Sequence, residues 1–336
     1  MTLLEVRGLT VTYGSGPLAV PAVDGVDLTV DGGEILGVAG ESGSGKSTMA
    51  LSLLRLLPAT ARIGGDIVFR GRNLPTASWG EMRAVRWAQA SMVFQGSMNA
   101  MNPVRTIGEQ ICEPILLHDK VGPRAARRRA AELLDSVGVP SRRAGAYPHE
   151  LSGGQRQRVM IAMALACRPN LIIADEPTTA LDVMVQAQIL RLLTELVAES
   201  GIGVIMISHD LSVLAGMCSR LAIMYAGKVV EIGPANQLFD DPRHPYMQAL
   251  TQAFPRIGDP SSRRGPAGLP GDPPLPGEIG AGCPFAPRCS QVMADCRSHE
   301  IELWPSGPDR EAACLRVLPG YPPSGEHPSP EAGVRR

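Results

Sequence analysis

Gly40-Glu-Ser-Gly-Ser-Gly45-Lys46-Ser47-Thr48 follows directly on the apolar run Ile35–Ala39 and opens a stretch, Thr48–Leu57, of helical length and apolar spacing. A buried strand that ends in a glycine-rich turn and restarts as a helix lets backbone N–H groups converge on phosphate oxygens. The helix N-terminus adds partial positive charge at the same place. In this setting Gly40, Ser42, Gly43, Ser44, Gly45 and Thr48 form a cradle. Lys46 reaches the β- and γ-phosphates of a nucleotide, and the Ser47 hydroxyl holds Mg²⁺. The chain has 29 Arg and only 3 Lys, so a Lys here departs from its own habit. A slim ammonium suits a crowded loop better than a planar guanidinium does.

This motif implies an α/β fold, and the first 240 residues alternate strand-like and helix-like runs accordingly. Val11–Tyr13 and Val26–Val30 predict an antiparallel β start, and 103–167 reads as mainly helical. Leu171–Ala174 and Gly203–Ile207 are continuous apolar runs of the kind that form buried parallel strands. Val183–Ser200 has helical periodicity and stops at Gly201. Arg127–Arg129 is expected to be a solvated helix face rather than a nucleic-acid site. A net charge of −1 also offers no basic field for nucleic acid. No run approaches the roughly 18 apolar residues of a membrane span. Met1 leads into strand-like residues without a signal sequence, so a soluble cytosolic chain is expected.

Two carboxylates, Asp175 and Glu176, end the strand at 171–174. Beside a phosphate loop, the first is placed to bind the Mg²⁺ shell and the second to take a proton from, or orient, an attacking water. Leu151-Ser152-Gly153-Gly154-Gln155 opens another helix, a second N-terminus ready for an anion.

The ordered set Tyr13, Gly40–Thr48, Gln95, Leu151–Gln155, Asp175-Glu176, Asp182 and His209 resembles the nucleotide-binding subunit of ATP-binding-cassette (ABC) transporters. The resemblance covers about the first 235 residues. It implies a P-loop (RecA-like) core over 1–240, with an antiparallel β subdomain and a helical signature subdomain at about 100–167. It further implies that Tyr13 stacks on adenine and that Gln95 senses Mg²⁺ and the γ-phosphate and links the site to a membrane subunit. Glu176 would be the general base, and Asp182 would bridge two protomers. His209 would hydrogen-bond the γ-phosphate; a satisfied strand-end histidine is the plain alternative. Ser152, Gly153, Gly154 and Gln155 would face ATP held by the other protomer, so that hydrolysis opens a two-chain sandwich. The usual acidic residue and Pro after the glutamine are replaced by Gly96-Ser97, which bears on the membrane-subunit contact.

From residue 241 the chain changes character. His244-Pro-Tyr246, Pro273-Pro274 and Gly282-Cys283-Pro-Phe-Ala-Pro-Arg288-Cys289 resemble the tail of dipeptide, oligopeptide and nickel importer ATPases. We expect an irregular, cysteine-containing C-terminal region over 241–319, standing away from the nucleotide site, and disorder over 320–336. Cys283, Cys289, Cys296 and Cys314, spaced C-x5-C-x6-C-x17-C, suit a 4Fe–4S cluster; structural Zn²⁺ and plain buried thiols are the alternatives. The resemblance favours the cluster, with Arg288 and Arg297 offsetting its charge. It also implies a peripheral protein at the cytoplasmic face of the membrane that powers solute import. Its partners there would be a second, paralogous ATPase, two permease subunits and an extracytoplasmic solute-binding protein. A soluble cassette ATPase of translation or repair and a nickel importer ATPase are the competing readings.

Overall fold

The computed structural model describes residues 2–16, 19–96, 100–179, 181–253, 269–274 and 279–318. The expected segment 320–336 therefore lies outside the described residues, as do Ser97 and Ala180. Among the described residues, twelve strands fall in two sheets. β1 (Thr2–Tyr13), β2 (Val20–Asp31), β4 (Ala61–Phe69) and β5 (Arg72–Asn73) form an antiparallel sheet in the order β2-β1-β4-β5. The larger sheet contains β3 (Ile35–Ala39), β6 (Ala90–Val93), β7 (Leu171–Asp175), β8 (Gly203–Ile207), β9 (Arg220–Tyr225) and β10 (Lys228–Pro234). β11 (Trp304–Gly307) and β12 (Arg310–Ala312) complete it, giving the order β11-β12-β10-β9-β3-β8-β7-β6.

β3, β7 and β8 are buried at every residue, as continuous apolar strands must be when both sheet faces are covered. Their side chains alternate between two cores. Leu36, Val38, Ile173, Ile205 and Ile207 pack with the antiparallel sheet and with Met49 and Leu53 of the helix Lys46–Leu53. Ile35, Ala39, Ile172, Val204 and Met206 pack toward the helices Ile107–His118, Pro123–Ser136, Gly153–Ala164 and Val183–Ser200. The helix after the phosphate loop ends at Leu53, short of the expected Leu57, because Arg55 takes a left-handed φ of 50°. Within 127–129, Arg127 and Arg128 are solvated, while Arg129 Nε donates to Ala166 O at the end of the neighbouring helix, 2.8 Å.

The tail contains more order than its Pro/Gly composition implies. Helix Pro245–Ala253 places Tyr246, Met247 and Leu250 in the main core beside Phe285. β12 pairs antiparallel with β10, Glu231 opposite Ala312 and Ile232 opposite Glu311, so the C-terminal hairpin extends the central sheet. Strands of four and three residues, with Pro305 and Gly307 among them, leave no alternating pattern to read.

Candidate nucleotide site

The loop between β3 and the helix Lys46–Leu53 wraps a cavity of about 190 Å³. Ser42, Gly43, Gly45, Lys46, Ser47 and Thr48 line it with Gln95 and Glu176. Two glycines are obligatory here. Gly40 has φ 153°, and a Cβ would stand 2.1 Å from Met224 O; Gly45 has φ 99°, and a Cβ would stand 2.4 Å from Ala22 O. The cavity is smaller than the roughly 300–1,000 Å³ that encloses a whole drug-sized ligand. That size suits phosphates; Tyr13, expected to stack on adenine, has its hydroxyl 3.4 Å from Thr48 Oγ1.

Lys46 Nζ donates to Gly40 O at 2.8 Å, Glu41 O at 2.7 Å and Ser44 Oγ at 3.2 Å. Burial pushes its ammonium below the usual lysine range, with Glu176, Asp175 and Glu41 acting against that shift. Ser47 Oγ donates to Asp175 Oδ1 at 3.2 Å. Burial raises the Asp175 carboxyl and this hydrogen bond lowers it. A hydroxyl and a carboxylate at the mouth of a phosphate loop are the hard oxygen donors that Mg²⁺ takes together with phosphate and water.

Glu176 follows β7 with a left-handed φ of 46°, a strained conformation for a non-glycine residue of the kind that persists at functional sites. Its N–H donates to Ile207 O at 3.0 Å. Gln95 Nε2 donates to Glu176 Oε2 at 2.9 Å, and Thr179 Oγ1 donates to the same oxygen at 2.8 Å. His209 Nδ1 lies 3.4 Å from Oε1. Four predicted residues (Gln95, Asp175, Glu176 and His209) thus gather with the phosphate loop at the ends of parallel strands. Thr179 had no assigned role in the sequence, since nothing local shows that its hydroxyl reaches back three residues.

The signature turn stands apart from this cluster. Ser152 caps the helix Gly153–Ala164: its side chain accepts from Gln155 N–H at 3.3 Å, and the Gln155 side chain accepts from Ser152 N–H at 3.1 Å. Gly153 and Gly154 face Leu181 and Val185. Asp182 caps the helix Val183–Ser200 by accepting from Val185 N–H at 3.0 Å.

The tail is not remote from the nucleotide site. Pro274 and Ile279 line the same cavity as Lys46. Arg288, expected to offset a cluster's charge, instead makes a forked pair with the Glu41 carboxylate of the phosphate loop. Cys283, Cys289, Cys296 and Cys314 do converge, around a separate cavity of about 20 Å³. Cys283 N–H donates to Cys296 O at 2.7 Å, and the amides of Gln291 and Met293 donate to Cys289 Sγ and Cys296 Sγ at 3.3 and 3.4 Å. Burial pushes the Cys283 thiol up to about 12 and that of Cys314 up to about 11. Among the described residues no group of three or more His, Cys, Asp or Glu stands at metal-ligand spacing. The chemistry of the donor set fits a thiolate-held metal; its present spacing does not amount to coordination.

Comparison with known proteins agrees with this geometry. The ABC transporter family profile matches residues 23–179, and that of the oligopeptide/dipeptide transporter C-terminal region matches residues 230–296. A putative peptide import ATP-binding protein of Brucella melitensis is 44% identical over 329 residues, covering 94% of this chain and 97% of the relative. The oligopeptide transport ATP-binding protein OppD of Salmonella typhimurium is 45% identical over 318 residues, covering 94% of each chain. Among solved structures, a dimeric ATP-binding cassette in a post-hydrolysis state with ADP and phosphate superposes with TM-score 0.63 at 31% identity, over 69% of this chain and 99% of that one. The chain belongs to the ABC transporter ATPase family, in the group that carries the oligopeptide/dipeptide transporter C-terminal region.

Proposed function

We propose that this ABC ATPase powers import of oligopeptides or dipeptides as one half of a two-subunit ATP sandwich at the cytoplasmic face of the membrane. The observation that carries the reading is the union of a phosphate-loop site with a peptide-transporter C-terminal region, in a chain 44–45% identical to peptide-import ATP-binding proteins along 94% of its length. Among the described residues no helix is long and apolar enough to cross a membrane, so attachment falls to permease subunits. Each half-site needs a signature turn from the other subunit, a paralogue in this reading, and Asp182 bridges the two. A solute-binding protein delivers the peptide.

In the mechanism we propose, backbone amides of Gly43–Ser47 and the Lys46 ammonium bind the β- and γ-phosphates. Ser47 and Asp175 would hold Mg²⁺, which would supply countercharge to the phosphates. Gln95 and Thr179 keep the Glu176 carboxylate oriented to take a proton from water as it attacks the γ-phosphorus, and His209 donates to a γ-phosphate oxygen. As the water oxygen bonds to the γ-phosphorus, the bond from that phosphorus to the β–γ bridging oxygen breaks and ADP keeps that oxygen. The proton taken by Glu176 departs with inorganic phosphate, so the sandwich loses the group that bridged it.

The test is co-isolation with two multispanning subunits and ATP hydrolysis stimulated by peptide-loaded binding protein. Stimulation by Ni²⁺-loaded binding protein alone, or full activity without membrane subunits, would select the competing readings. In the same assembly Ser152→Arg is expected to impair hydrolysis at the partner's site and leave this chain's own ATP affinity within about twofold, because a long cation there blocks the facing half-site. An equal loss of ATP binding by the isolated mutant chain contradicts the trans assignment.

The four converging cysteines hold one 4Fe–4S cluster in this proposal, and the amide-to-sulfur bonds supply the donors that tune such clusters. Thiols kept protonated by burial would release their protons on binding a metal, and that binding would order this region. Protein purified anaerobically is expected to be brown and to contain about four iron atoms per chain, one per cysteine ligand. Stoichiometric zinc without iron would establish the alternative metal, and absence of both would leave plain buried thiols.

A further inference from the structure

We infer that Arg288, carried on the cysteine-bearing segment, is a positioning residue of the phosphate loop, acting through Glu41. The inference rests on reading Gly40–Thr48 as the nucleotide site.

All three functional groups of Glu41 are engaged. Its carboxylate receives Arg288 Nη1 at 2.6 Å and Nη2 at 3.0 Å, the forked geometry that a guanidinium makes and an ammonium does not. Its N–H donates to Tyr246 Oη at 2.9 Å. Its carbonyl accepts from Lys46 Nζ at 2.7 Å. Arg288 and Tyr246 belong to the tail, while the carbonyl, which also accepts from Ser44 N–H at 3.2 Å, holds the lysine that meets phosphate. Glu41 thus ties the tail to the ammonium through one residue of backbone.

Arg288 is itself fixed. Its side chain is 6% exposed, Nε donates to Pro270 O at 2.9 Å and Nη1 to Tyr225 Oη at 3.3 Å. Its guanidinium lies 5.8 Å from the centroid of the Tyr225 ring, which packs in turn on Tyr246 and Phe285 with ring centroids 4.7 and 5.3 Å apart. The guanidinium also cancels a carboxylate that would otherwise stand unpaired beside incoming phosphates. Loss of Arg288 therefore both frees the loop and leaves an uncompensated negative charge at its mouth.

The test uses the full chain and Mg-ATP titration. Arg288→Met is expected to weaken Mg-ATP binding by about five- to twentyfold, the lower part of the range for coupling between linked sites. Arg288→Lys, which retains one of the two bonds, should recover part of the loss. Glu41→Gln/Arg288→Met should bind no worse than Arg288→Met alone, because the two groups act as one unit. Amide exchange over 41–45 should quicken in Arg288→Lys, a reading that remains available if Arg288→Met fails to fold. Parental affinity in Arg288→Met, additive losses in the double variant, or unchanged exchange in Arg288→Lys each overturn the inference. A Lys46→Met chain that still binds Mg-ATP would overturn the nucleotide site and the clamp with it. Loss of binding in Lys46→Met with parental binding in Arg288→Met overturns the clamp alone.

Discussion

Glu176→Gln is expected to lower ATP turnover by about 10²–10⁴-fold, the usual contribution of a positioned general base, while Mg-ATP affinity stays within about twofold. The amide keeps the shape of the carboxylate and one carbonyl oxygen for the hydrogen bonds from Gln95 and Thr179. It loses the ability to take a proton from water. Binding should survive because the proposed mechanism holds the phosphates elsewhere, on the amides of the loop and on Lys46, whose ammonium lies on the Gly40, Glu41 and Ser44 oxygens. Thr179→Ala should fall between parent and Glu176→Gln, since it removes one of two donors that aim the carboxylate. Phosphate release from the assembled complex, read beside nucleotide titration, separates the two effects. Turnover within about twofold of the parent in Glu176→Gln would remove this residue from the base role and leave His209 as the nearer candidate.

The nucleotide site was legible because its parts are local. A phosphate cradle needs glycines, a lysine and a hydroxyl in one unbroken turn between a buried strand and a helix, and both flanks have unambiguous patterns. Asp175, Glu176 and His209 were readable for a related reason: each follows an apolar run that fits only a buried parallel strand. The helix that Ser152 caps was legible from its glycine turn, while the reciprocal caps Ser152 with Gln155 and Thr106 with Glu109 emerge from the structure. What the sequence hid lies between distant residues. Arg288 and Glu41 are 247 positions apart, and nothing near either announces the other. The strain at Glu176 is equally silent, since a positive φ is imposed by the strand packing around it. The convergence of four cysteines followed from their crowding, whereas the pairing of the C-terminal hairpin with the central sheet runs through a three-residue strand with no pattern to read.

That docking rests on a buried ion pair, and Arg310→Met is expected to cost about 3–5 kcal/mol of stability. Glu231 is fully buried, and Arg310's side chain is 3% exposed. The Glu231 carboxylate accepts from Arg243 N–H at 2.9 Å, His244 N–H at 2.8 Å and Arg310 Nη2 at 3.1 Å. Burial pushes its carboxyl up, and these donors pull it back. Arg310 also reaches Asp241, holding its backbone oxygen and pairing with its carboxylate at 3.5 Å. Removing the guanidinium strands a carboxylate in the sheet with two backbone donors and no countercharge. The loss should appear in chemical unfolding as a lower midpoint, with the C-terminal hairpin exchanging its amides first. Glu231→Met/Arg310→Leu should return to within about 2 kcal/mol of the parent, because replacing both charges removes the desolvation cost along with the attraction. If Arg310→Met alone loses less than about 1 kcal/mol, the pair behaves as a solvated surface bridge and does not hold the hairpin. The double variant separates stability from coupling: the sheet should hold, but the Arg243–His244 turn loses the carboxylate that fixes it. That turn leads directly into Tyr246 and its hydrogen bond with the phosphate loop, so Mg-ATP affinity should remain below that of the parent after stability has been restored.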